Sequence, residues 1–338
     1  MAKVAVIGAG AWGTAIGLQA ARKGHAVTLW AREAEVIRSV RESHVNEPFL
    51  PGIPLPQSID ATGDRTAAVA GAALVVLVPP SKFLRDVAAS IAGAIAPGAL
   101  VVVASKGIEE ESLKLMSEVM AEAAPELADD RLAFLSGPTF AKEVALGKPC
   151  NVVAASRAPQ AAARVQELLH SPFFRVYVSS DPVGVEIGGA LKNVMAIAAG
   201  AVDALDLGLN ARAGIITRAL AEMTRFGVAL GADPLTFLGL AGMGDLVLTC
   251  TGELSRNRQL GVEIARGADP AAYVASRRTV AEGYTTARAA WALAQKLGVD
   301  APIIEQVYYV LHEGRPLIDS LKALTTRESK DELAGIRL

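Results

Sequence analysis

Between Val183 and Val202 the only charged residues are Glu186 and Lys192. On a helix the neighbours of Lys192 three and four positions away are Gly188, Gly189, Met195 and Ala196, so no local ion pair is available to it. Gly189, Ala196 and Gly200 fall on roughly one stripe, which leaves the ammonium beside Asn193 on a face cleared of bulk. Such a face could receive a ligand. A lysine in apolar surroundings loses its charge readily, which suits a general acid and base near neutral pH. The alternative is a surface lysine snorkelling from an apolar stripe.

A second constellation opens the chain. Gly8, Gly10 and Gly13 stand in G-x-G-x-x-G spacing directly after Val4–Ile7, a buried-strand pattern, and before Ala15–Arg22, a helical one. The first glycine permits the tight turn, the second lets a pyrophosphate approach the backbone, and the third lets the helix pack closely on the strand. Phosphates then meet the free N–H groups of the helix start. The uncharged run from Val4 to Ala21 after Lys3 could pass for a secretory leader. The strand–turn–helix pattern reads instead as a dinucleotide site; a glycine-rich turn without a ligand is the alternative. At the tip of the next strand, where an acid would bind the ribose of NAD, the chain has Arg32. A guanidinium suits a 2′-phosphate, which favours NADPH/NADP with NADH/NAD tolerated. Glu33 follows at once, so a shift of one residue would reverse the preference.

These residues need elements to hold them. Strands are expected at Ala26–Trp30, Ala73–Val78, Ala99–Ser105, Leu132–Leu135, Asn151–Ala155 and Val176–Val178, alternating with helices. This is the pattern of an open, doubly wound α/β sheet. The stretch Glu47–Ile59, with four prolines, reads as an irregular, inert surface excursion rather than a lid. From Val183 the texture becomes Ala/Leu/Gly-rich at helical period, beginning with a long helix near Gly184. The expected division is therefore a dinucleotide-binding domain over residues 1–182 and an all-helical substrate-binding domain over residues 183–338.

With 338 residues the chain can bury two cores, and its composition, 51% hydrophobic and 20% charged, is that of a globular protein. A net charge of -2 without a long basic run argues against a nucleic-acid partner. Cys150 and Cys250 have neither metal-site nor disulfide spacing, which fits a reducing, cytoplasmic setting. His25, His44, His170 and His312 are scattered, so no metal site is expected. No transmembrane segment is expected, and apolar stripes in the helical part suggest a homodimer.

The chain resembles the bacterial-type NAD(P)-dependent sn-glycerol-3-phosphate dehydrogenases. The resemblance rests on "GAGAWGTA" from Gly8, "SKGIE" from Ser105, "SGPTFAKEV" from Ser136, "GALKNVMAIAAG" from Gly189, "AGMGDLVLTCTGELSRNRQLG" from Ala241 and "VAEGYTTA" from Val280. It implies a Rossmann-like domain followed by a helical one, and reversible reduction of dihydroxyacetone phosphate to sn-glycerol 3-phosphate for the phospholipid backbone. It implies Lys192 as proton donor and acceptor, with Lys106, Gly137, Thr139, Asp245, Ser255, Arg256 and Asn257 at the substrate. Cofactor contacts are implied for Gly8, Gly10, Trp12, Gly13, Arg32, Lys106, Ala141, Arg256, Val280 and Glu282. Many members carry Ser after the second glycine where this chain has Ala11, which removes a side-chain hydrogen bond to the pyrophosphate. Rival readings are a two-domain 3-hydroxyacid or ketopantoate-type reductase, and a nucleotide sensor without chemistry.

Overall fold

A computed structural model describes residues 1–127, 129–277, 281–329 and 331–332. The chain forms two compact units: Met1–Ser105 with Met116–Pro182, and Lys106–Leu115 with Val183–Leu338. The segment Lys106–Leu115 thus packs with the second unit, which a single division at 182/183 did not anticipate.

Among its described residues the first unit contains ten strands: β1 (Lys3–Ile7), β2 (Ala26–Trp30), β3 (Val45–Asn46), β4 (Leu50–Pro54), β5 (Ile59–Thr62), β6 (Leu74–Leu77), β7 (Leu100–Val103), β8 (Leu132–Ser136), β9 (Cys150–Ala155) and β10 (Phe174–Ser179). Eight of them form one sheet in the order β10-β9-β8-β7-β6-β1-β2-β5. From β5 to β8 every neighbouring pair is parallel. The strand order reverses at β1/β6, the switch point at whose carboxyl ends an α/β sheet opens a crevice. Strands β1, β6 and β7 are buried on both faces, as their unbroken Val/Leu/Ile runs predict.

Two features depart from the expected pattern. Strand β9 runs antiparallel to β8. The connection between them holds only the five-residue helix Ala141–Ala145, about 7.5 Å of rise, too short to carry the chain back for a parallel crossover. The proline-rich stretch, expected to be an irregular and inert surface loop, instead pairs β3 with β4 and adds β5 to the sheet edge. Leu50, Ile53, Leu55 and Ile59 are buried under it, and buried Asn46 donates to Ala9 O (2.8 Å) and Thr14 Oγ1 (2.7 Å). Prolines cost little in a two-stranded ribbon, whose outward N–H positions need no partner.

From Pro182 on, the regular elements among the described residues are all helices, while Lys106–Leu115 is an irregular segment closed by a β-bridge between Ile108 and Leu115. The axis of the second unit is the helix Pro182–Ala204, the one helix among the described residues long and apolar enough to cross a membrane, but almost wholly buried among its neighbours. Backbone of neighbouring segments fills the space at two glycines of this helix, Gly200 and Gly188, and at Gly261 of the helix Arg256–Ala265. A Cβ on Gly200 would collide with Arg258 O, one on Gly188 with Ala241 O, and one on Gly261 with Ile197 O. At Gly200 the expected clear face is therefore a packing notch, because only a missing Cβ allows helices to approach to backbone contact. Gly261→Ala is expected to destabilise the protein by about 1–3 kcal/mol or more by overpacking. Gly214→Ala, in a helix with open space around it, is expected to gain about 0.5–1 kcal/mol. Urea unfolding of both variants checks the pair.

Candidate active site

The glycine turn follows β1 as the motif requires. Gly8 has φ +123°, and a Cβ there would lie 2.8 Å from Val78 O, just past β6. A Cβ on Gly13 would collide with Gly8 O, so this glycine seats the helix Ala11–Arg22 on the turn. Nothing lies within 4 Å of where a Cβ of Gly10 would stand. The backbone there is open to a phosphate, at the start of a helix whose first N–H groups lack intrahelical partners. Trp12 Nε1 is buried with no hydrogen-bond partner among the described residues. An open backbone cradle beside an orphaned donor fits a dinucleotide. Arg32, just beyond β2, is exposed and holds Glu33 Oε1 through Nε (3.1 Å) and Nη2 (2.9 Å). After β8, Gly137 has φ +138°, and its carbonyl accepts from Thr139 Oγ1 (3.1 Å). Ala141 begins the short helix that packs against Ala11–Arg22.

The second unit gathers Lys106, Lys192 and Asp245. Asp245 is fully buried and opens the helix Asp245–Thr251. It follows one turn of π-helix over Leu240–Gly244, closed by Gly244 N donating to Gly239 O (3.1 Å); such turns often re-aim side chains at functional sites. Lys192 Nζ donates to Asp245 Oδ1 (2.5 Å) and Thr249 Oγ1 (3.0 Å). Lys106 Nζ donates to Asp245 Oδ2 (2.7 Å). Thr249 donates back to Asp245 O (2.6 Å), so Asp245 and Thr249, one turn apart, hold the ammonium together.

Burial lowers the pKa of Lys192; Asp245 draws it back up and Lys106 pushes it down, with the balance at about 8. Burial by itself would raise the Asp245 carboxyl, but Lys106 and Lys192 outweigh it and hold it below its ordinary value. Cys250, beside Thr249, is pushed up to about 12 chiefly by burial and stays a thiol.

Ser255 is the buried N-cap of the helix Arg256–Ala265, its Oγ accepting from Arg258 N (3.2 Å). Arg256 is exposed, while Arg258 is committed to Asp203, with Nε donating to Oδ2 at 2.8 Å. Asn257 is buried and bonds Asn193 and Gly283. Glu282 begins the helix Glu282–Leu297, and Val280 lies outside the described residues. Thr249 was not foreseen. Its only sequence signal is its place four residues after Asp245, which is informative once the helix and its buried face are known.

A doubly wound sheet with a dinucleotide turn, and a helical unit with a buried lysine of lowered pKa, define an NAD(P)-dependent dehydrogenase. Residues 3–162 match the model of the NAD-dependent glycerol-3-phosphate dehydrogenase N-terminus, and residues 181–322 that of its C-terminus. Relatives named glycerol-3-phosphate dehydrogenase (NAD(P)+) include one from Geobacter metallireducens, 52% identical, and one from Geobacter sulfurreducens, 51% identical, each alignment covering 98% of both chains. The crystal structure of glycerol-3-phosphate dehydrogenase from Coxiella burnetii superposes with a TM-score of 0.91 at 36% identity, over 96% of this chain and 99% of that one. The chain belongs to the NAD-dependent glycerol-3-phosphate dehydrogenase family.

Asp245 is the raising influence on Lys192, so Asp245→Asn is expected to move the titration of Lys192 below about 8. Nitrogen-15 NMR of the lysine side chains across pH reads this directly; an unchanged or higher midpoint would contradict the assignment.

Proposed function

We propose that this chain reduces dihydroxyacetone phosphate to sn-glycerol 3-phosphate, reversibly, with NADPH or NADH, and so supplies the backbone of glycerophospholipids. Family membership supports the reaction, and one observation supports the mechanism. An ammonium has three N–H donors; Lys192 commits one to Asp245 and one to Thr249. The third has no partner among the described residues and is the proton offered to the substrate carbonyl oxygen.

In reduction, the nicotinamide, when bound, supplies a hydride to the carbonyl carbon. Lys192 gives its proton to the oxygen, which leaves an alcohol and a neutral amine. A proton taken up from solvent restores the ammonium, so that each reduction consumes one proton. Asp245 and Thr249 hold Nζ in one orientation throughout, and Lys106, the second ammonium on Asp245, keeps the site attractive to an anionic substrate. Arg256 and the hydroxyl of Ser255, at the start of a helix, make a receptor for the phosphate dianion. Gly137 and Thr139 complete the proposed substrate set with Asp245 and Asn257. The proposed cofactor set is Gly8, Gly10, Trp12, Gly13, Arg32, Lys106, Ala141, Arg256, Val280 and Glu282. Arg32 exchanges Glu33 for a 2′-phosphate, which favours NADPH. Both cysteines are free thiols, in keeping with a cytoplasmic setting. The exposed leucines Leu235, Leu238 and Leu254 of the helical unit support a homodimer, which sedimentation would read as twice the monomer mass.

Loss of reduced-nicotinamide absorbance with dihydroxyacetone phosphate tests the reaction. Wild type is expected to turn over, and Lys192→Ala to bind NADPH but lose at least about a hundredfold in kcat. Arg32→Ala is expected to raise the KM for NADPH about tenfold while leaving that for NADH within about twofold. Reduction needs protonated Lys192, so kcat/KM for reduction should fall as pH rises through about 8. Oxidation needs the neutral amine and should rise through the same range. Absence of turnover with either cofactor would sink the substrate assignment.

A further inference from the structure

Arg258 is the second guanidinium in the Ser-Arg-Asn-Arg run that opens at Ser255, and it is held at three points. Its backbone N–H donates to Ser255 Oγ (3.2 Å). Its carbonyl oxygen fills the space where a Cβ of Gly200 would stand. Its side chain reaches the C-terminal end of the Lys192 helix, where Nε donates to Asp203 Oδ2 (2.8 Å) and Nη2 lies 2.6 Å from the same oxygen. Asp203 Oδ1 accepts from Arg212 Nε (2.5 Å) in the helix Gly208–Ala229. One carboxylate, its side chain only 9% exposed, thus takes an arginine on each oxygen and ties three helices together.

The backbone contacts at Gly200 and Gly261 set how closely the helix Arg256–Ala265 approaches the Lys192 helix, but contact between small groups does not by itself stop a helix from turning about its axis. A guanidinium forked onto a carboxylate does, because the pair is planar and directional. Any such turn would displace Arg256, the first residue of the helix, together with its N-cap Ser255. With Ser255 Oγ accepting from Arg258 N, the hydroxyl keeps its own proton to donate elsewhere. Asp203 lies eleven residues beyond Lys192, about 16 Å along the helix, and so stands apart from the proton transfer.

We propose that Asp203 is a positioning residue for phosphate recognition. Through Arg258 it fixes the start of the helix Arg256–Ala265 so that Arg256 and the Ser255 hydroxyl face the phosphate of the substrate. Its loss is therefore felt in phosphate affinity and not in the chemical step. This rests on the reading above that the helix start receives the phosphate.

Calorimetry on the NADPH-bound protein gives the Kd for inorganic phosphate, and steady-state kinetics at saturating NADPH give KM and kcat for dihydroxyacetone phosphate, with the thermal midpoint measured beside them. Asp203→Asn and Arg258→Gln should each raise the phosphate Kd and the substrate KM about tenfold and leave kcat within about threefold, since binding is lost and proton transfer is not. The double variant should exceed the larger single effect by no more than about twofold, as one coupled pair requires. Arg212→Gln removes the other partner of Asp203 and spares the fork to Arg258, so it should lower the thermal midpoint while both constants stay within about twofold of wild type. Arg258→Gln decides the matter if Asp203→Asn does not fold. A carboxylate that merely holds helices together would lower the thermal midpoint and leave KM and the phosphate Kd unchanged, and that result overturns the proposal. So do additive effects in the double variant, or constants raised as much by Arg212→Gln as by Arg258→Gln. If wild type binds inorganic phosphate but does not turn over dihydroxyacetone phosphate, the proposed function falls, while the phosphate Kd values still support or overturn the role of Asp203. If wild type binds no phosphate, the receptor and the role of Asp203 fall together.

Discussion

A carboxylate buried with two ammonium groups upon it is the constraint around which the helical unit is arranged. A solitary ion at the position of Asp245 would be too costly to keep charged, and a solitary Lys192 likewise. Together they stay ionised, and the second lysine, Lys106, leaves the cluster with a net positive charge. To deliver Lys106, the chain sends Lys106–Leu115 into the helical unit, anchored by Ile108 and Leu115 in that unit's core. The π-turn over Leu240–Gly244 has the complementary task of delivering Asp245.

A second buried carboxylate shows that burial alone does not set the outcome. Glu222 accepts from the backbone N–H groups of Ile303 and Ile304, both at 2.9 Å, at the start of the helix Pro302–His312. Burial raises its pKa to about 7 against the lowering effect of those bonds and of the charge on Arg225. Asp245 is equally buried, but two full charges stand against it and its pKa goes down. At Glu222 two backbone N–H groups and the charge of Arg225 do not offset burial, whereas at Asp245 two ammonium groups in direct hydrogen-bond contact do.

Rigidity around the site comes from glycine. At Gly188, Gly200, Gly261 and Gly283 the backbones of neighbouring segments touch where a Cβ would stand. The helices carrying Lys192, Asn257 and Glu282 therefore share one frame, and a shift in any of them is transmitted to the others. In the first unit Gly13 does the same for the helix on the dinucleotide turn, with Asn46 of β3 tying that turn to the two-stranded ribbon β3–β4.

Local pattern was enough for seven of the ten strands, all but β3, β4 and β5, and for the dinucleotide turn and the change from sheet to helices near Val183. Strand burial, glycine spacing and helical period are properties of neighbours in sequence, and each acts within a few residues. Lys192 was also legible, because an ammonium with no local partner on an apolar helix must find a distant partner or a ligand. That the partner is Asp245, 53 residues on, could not be read from either position alone. At Gly200 in the small-residue stripe of the Lys192 helix, backbone of the Arg258 segment and not open space stands where a Cβ would be; a missing Cβ looks the same in sequence whether a ligand or a helix fills the space. The hairpin in the proline-rich segment, the antiparallel turn of β9, the role of Thr249 and the Asn193–Asn257–Gly283 chain were likewise decided only by tertiary structure. Each depends on groups far apart in sequence meeting at hydrogen-bond distance, and sequence spacing carries no record of such a meeting.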